Sequence, residues 1–146
     1  MSLKRNDKVR TGGLTKKDHI QYWVDTAKKD WIAVKRMLEC RTYVHALFFM
    51  HLVLEKLLKA HWVKDNIGNF PPRTHDLINI ANNTSLKINE IQTALFEEMN
   101  YFQLEGRYPD YKQNLFLKYK HERTYSIFAS VKTIRKCLLE KLQLEK

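Results

Sequence analysis

The segment Tyr43–Asp65 constrains this chain more than any other. It reads YVHALFFMHLVLEKLLKAHWVKD, and Leu47, Phe48, Phe49, Met50, Leu52, Val53, Leu54, Leu57 and Leu58 cover nearly every side of a helix drawn through it. A helix that is apolar all round belongs at the centre of a protein, contacted on several sides at once. Glu55, Lys56 and Lys59 interrupt it, and His45, His51 and His61 lie on it too. Those groups are costly in lipid, so the segment reads as a soluble core helix and not a membrane span. It ends in Asp65-Asn66-Ile67-Gly68-Asn69, ahead of Pro71-Pro72, where a helix cannot continue without strain.

Such a helix needs neighbours, and the flanking sequence supplies them. Thr15 and Asp18 have capping-box spacing, with an acid that also suits the positive end of a helix. Ile20, Trp23, Val24, Ala27, Trp31, Val34 and Leu38 then recur at helical spacing, predicting an amphipathic helix that ends near Cys40. A short helix with Leu77, Ile78, Ile80 and Ala81 is expected after Thr74 as N-cap, closed by Asn82-Asn83. Ser85 is the expected cap of a fourth helix, with Ile88, Ile91, Leu95, Met99 and Phe102 inward. Gly106 and Pro109 break the chain into a loop containing Arg107-Tyr108-Pro109-Asp110-Tyr111. A last helix over 121–143 sets Ile127, Val131, Ile134 and Leu138 on one face. With only four Gly and three Pro in 146 residues, the chain is predicted to be all-α: an up-and-down bundle of four long helices plus one short one. A single domain over 15–146 behind a flexible N-terminal segment, 1–14, is expected.

The net charge of +10 favours acidic partners such as nucleic acid or nucleotide phosphates. The lysines are spread over every segment without a run, so a solvated basic surface explains the same charge. Cys40 and Cys137 belong to no metal or redox spacing and are expected to fill the core of a reduced, cytoplasmic protein with no secretory signal.

The chain contains no GxSxG, GxGxxG, GxxxxGK or HExxH, and no cofactor is expected. His51 and Glu55 share a helix face, but nothing nearby completes a metal-ligand set, and no metal is expected. Glu55 and Lys59, also four apart, are either an internal ion pair or one wall of a polar notch where Lys56 or Lys59 meets an anion. Arg73-Thr74-His75-Asp76 opens the short helix, whose free backbone amides would suit an anion. Arg107 and Tyr108 lie in a turn that can aim the guanidinium at a carboxylate or phosphate.

Three strings occur in a fixed order: Glu55-Lys56-Leu57-Leu58-Lys59-Ala60, Thr74-His75-Asp76-Leu77 and Arg107-Tyr108-Pro109-Asp110. Their order and spacing resemble the HEPN domain, the "higher eukaryotes and prokaryotes nucleotide-binding" family, over about 18–142. The resemblance implies a helical bundle that commonly forms homodimers and often accompanies a small nucleotidyltransferase in a two-component, toxin–antitoxin-like system. It also implies ligand candidates at Glu55, Lys56, Lys59, His75, Asp76, Arg107 and Tyr108. Many such domains are metal-independent ribonucleases that use an Arg, four to six intervening residues, then a His. Here Arg107 is followed at that spacing by Lys112, Gln113 and Asn114, none suited to take a proton at neutral pH. Arg41 and His45 are one residue too close. The expectation is therefore a binding module, for nucleotide or RNA, more than an enzyme. The alternatives are a ribonuclease that recruits Arg107 with His75 or His121, and a basic scaffold module.

Overall fold

The computed structural model describes residues 13–105, 115 and 117–144. Within them the chain is all-helical: α1 Lys16–Glu39, α2 Tyr43–Asp65, α3 Leu77–Asn82, α4 Glu90–Glu105 and α5 His121–Leu144. Four long helices and one short one make the expected bundle.

The second helix is its axis. Met50, Val53, Leu54, Leu58, Ala60 and Val63 have no measurable exposure, and every other described helix packs on α2. α1 lies along it with Ala27, Trp31, Val34 and Leu38 buried, entered through the Thr15–Asp18 capping box. Three residues join these helices, and Arg41 takes a left-handed φ of 60°. The amide of Arg41 donates to Leu38 O (3.1 Å) and that of Thr42 to Met37 O (2.9 Å), a Schellman closure with arginine where glycine usually stands. α5 contributes Ile127, Val131, Ile134 and Leu138 to the core, and the buried ring of His61 donates from Nε2 to Leu138 O at 2.9 Å.

Lys16 closes the far end of α2. Its ammonium donates to the carbonyls of Val63 (2.8 Å), Asn66 (2.8 Å) and Gly68 (3.0 Å), giving charged partners to groups a helix terminus leaves unpaired. Ser85 donates from its amide and hydroxyl to Asp65 at 2.8 and 2.9 Å, fastening the segment ahead of α4 to the same place.

Four expectations need correction. The N-cap of α3 is Asp76 and not Thr74, whose hydroxyl instead accepts from the Asp76 amide. With Ser85 held by Asp65, α4 begins later: Asn89 and Gln92 exchange reciprocal side chain–backbone bonds at its start. Ile91 is 82% exposed, because the first turn of α4 stands off α5 across an open cleft of about 460 Å³. Cys40 is exposed as the C-cap of α1, and Cys137 is only half-buried, so neither fills the core. No described helix is long and apolar enough to cross a membrane.

Candidate functional site

Positions 51, 55 and 59 fall four apart on α2 and so share one face. Glu55 is only 5% exposed, and its two oxygens are divided between two donors. Oε2 accepts from Lys59 Nζ at 2.9 Å, and Oε1 accepts from His75 Nδ1 at 3.0 Å. Lys59 is itself 7% exposed, with its ammonium 5.4 Å from the centre of the Trp23 ring on α1. A buried carboxylate and a buried ammonium are tolerable only as such a pair.

His51 completes the framework. Its fully buried ring donates from Nε2 to the His75 carbonyl at 2.9 Å, so α2 holds residue 75 by both backbone and side chain. Burial keeps the His51 imidazole below its ordinary pKa, outweighing the opposite pull of Glu55. The neutral ring leaves Nδ1 without a hydrogen-bond partner, 3.7 Å from Glu55. The His75 side chain, by contrast, is 51% exposed. With Nδ1 donating to Glu55, it is Nε2 that carries the lone pair in the neutral form of the ring. A half-exposed imidazole oriented by a buried carboxylate can accept a hydrogen bond or a proton from a bound molecule.

The amides at the start of α3 are already taken. Asp76 Oδ1 accepts from Ile78 N (3.1 Å), Asn79 N (3.3 Å) and Asn100 Nδ2 (3.0 Å), while Asn100 Oδ1 accepts from Leu77 N (3.0 Å). The chain's own carboxylate thus stands where an external anion was expected, and it ties α3 to α4.

Glu55, Lys59 and His75 therefore meet, with Asp76 next along the chain. Lys56 does not join them: one residue on means roughly 100° around the helix, and its ammonium meets Asp30 of α1 at 2.6 Å. His121 packs edge-on to Tyr43 at 5.8 Å, and Tyr43 lies about 18 Å from Glu55 along α2 at helical rise. Arg107 and Tyr108 lie outside the described residues.

Spacing alone did not point to the aromatic side chains that extend from Trp23, the ring under Lys59. His19 and Trp23 share a face of α1; His19 meets Phe70 edge-on at 5.2 Å, and Tyr22 meets Trp23 at 5.3 Å. Phe70 and Tyr22 are 79% and 57% exposed. They come from separate segments, and the only sequence signal was an aromatic directly before Pro71-Pro72. Among the described residues no group of three or more His, Cys, Asp or Glu is arranged to hold a metal ion.

An α-helical bundle built on one buried helix is the architecture expected of HEPN domains. The family model for the HEPN domain matches residues 20–142, and the chain belongs to that family. Comparison with curated proteins and with solved structures gives no match.

Proposed function

We propose that this HEPN-family chain is a binding module whose polar notch takes a nucleotide, and that it acts as a cytoplasmic homodimer beside a small nucleotidyltransferase in a two-component, toxin–antitoxin-like system. The observation that carries the ligand is the buried Glu55 carboxylate, which spends itself on Lys59 and His75 and leaves a half-exposed imidazole on one side, while the Lys59 ammonium on the other lies over Trp23, itself edge-on to the exposed Tyr22. Rings of that kind stack on nucleobases, and the imidazole supplies one directional polar contact. The partner and the dimer rest on family resemblance.

Calorimetric titration with ATP and GTP tests the ligand. Binding that weakens at least tenfold in both His75→Ala and Tyr22→Ala supports the reading. No heat, or affinity indifferent to both substitutions, overturns it. Affinity for any polyanion that falls steeply with salt and ignores His75 would mark a basic scaffold instead.

The Glu55–His75 bond also favours a second reading, a metal-independent ribonuclease with His75 as the proton acceptor in place of a histidine after Arg107. RNA cleavage in EDTA that disappears in both His75→Ala and Arg107→Ala would establish it, and cleavage that survives either would exclude it.

A further inference from the structure

At the opposite end of α2, Arg41, Tyr43, Tyr119, Lys120 and His121 line a cleft of about 540 Å³. Its three basic side chains come from two separate places in the chain, the α1–α2 turn and the entry to α5. All three residues are exposed, and among the described residues none of them has an acidic hydrogen-bond or ion-pair partner. Glu98 approaches through Tyr119, but its carboxylate is committed to the Tyr119 hydroxyl (3.0 Å) and to Arg123 (2.6 Å). Glu39 and Glu122 flank the cleft in sequence, and neither lines it.

The aromatic residues set its shape. His121 lies 4.6 Å from Tyr125 at a 32° tilt and edge-on to Tyr43, so packing, and not an acid, holds the imidazole. The Tyr119 hydroxyl is directed at Glu98, and burial followed by that carboxylate pushes its ionisation up; Tyr119 offers the cleft a ring wall and no negative charge.

A non-glycine residue at φ 60° carries a steric cost that glycine at the same C′ position would remove. Here the residue that bears that cost is Arg41, which lines the cleft together with Lys120 and His121. Such outliers persist where the surrounding structure holds them in place, and they cluster at ligand sites.

We propose that this cleft is a second anion site, one that takes a phosphate group between Arg41, Lys120 and His121. Guanidinium, ammonium and imidazole are all phosphate donors, and the planar guanidinium can bind two oxygens together. The site is separate from the His75 notch and does not depend on how that notch is read.

The test uses the full chain and three probes: pyrophosphate, AMP and adenosine, each followed through the His121 ring resonances by NMR. Pyrophosphate and AMP are expected to shift them saturably, while adenosine leaves them in place. Arg41→Gly is the informative variant, because it removes the cation and relieves the backbone together: it should raise the thermal midpoint yet weaken pyrophosphate at least tenfold. Lys120→Gln should weaken it similarly, and His75→Ala should have no effect. Absence of a saturable shift, an equal response to adenosine, or undiminished binding in Arg41→Gly overturns the proposal.

Discussion

Replacing Glu55 with glutamine removes one charge and one acceptor from a place with almost no water. The carboxylate serves two donors with two oxygens, Lys59 at 2.9 Å and His75 at 3.0 Å. Glutamine has a single carbonyl oxygen, so one donor is abandoned, and either choice brings an NH₂ against another N–H. At 2.9 Å and an effective dielectric near 20, the pair's Coulomb attraction is about 6 kcal/mol before desolvation is subtracted. What a mutant feels is the cost of the charge left behind, about 3–5 kcal/mol for a buried pair. Glu55→Gln is therefore expected to lose about 3 kcal/mol, with the Lys59 ammonium left facing only the Trp23 ring. Lys59→Met should lose a similar amount, because Oε2 of Glu55 is then orphaned. The double variant removes both charges and should lie within about 1–2 kcal/mol of the parent, since a buried pair contributes little net stability. In urea, with a slope of about 2 kcal/mol per molar, each single variant should unfold about 1.5 M earlier and the double within about 1 M of the parent. A double-mutant cycle by equilibrium unfolding reads this directly. Losses that simply add, or a Glu55→Gln variant as stable as the parent, would refute the claim that the pair is desolvated.

Three further outcomes follow from the same geometry. Lys16→Met strips three carbonyls at the end of α2 of their charged donor and should cost about 1–2 kcal/mol in urea unfolding, the bonds being only partly buried. Asp76→Ala removes the α3 cap together with its Asn100 contact and should cost about 1–2 kcal/mol, where Thr74→Ala costs less. Burial holds His51 and His61 below the ordinary 6.5 when folded, so the unfolded chain binds protons first as pH falls. The stability these rings give is complete above about pH 6.5 and drains away below it, so the thermal midpoint should drop between pH 7 and 5, and less steeply in His61→Gln; a flat profile would contradict it.

The sequence revealed the bundle through residues whose neighbours along the helix decide their fate. The limits of α2 and the Thr15–Asp18 box are local facts, and the Glu55–Lys59 pairing needs only one turn of helix. The misread positions were settled by partners distant in sequence. Ser85 and Asn89 are both competent caps, and Asp65, twenty residues away from Ser85, took the former. Thr74 and Asp76 differ in the same way, with Asn100 reinforcing Asp76. Lys56 looks equivalent to Lys59 until α1 brings Asp30 to its side of the helix. His51 resembled a metal ligand beside Glu55, but its Nε2 is spent on the His75 carbonyl, a bond no periodicity encodes.

The order in which such a site assembles follows from the α1–α2 hairpin. Two long helices separated by three residues bury their interface with little loop-closure entropy to overcome, which favours their early pairing. Trp23, Lys59 and Glu55 all belong to that hairpin. His75 does not; it arrives on the strap after α2 and hangs there by its ring and its own carbonyl. The accessible imidazole is thus held to the hairpin by two hydrogen bonds to α2, one from its ring and one to its carbonyl, and the fully buried Leu77 and Ile80 anchor the chain directly beyond it.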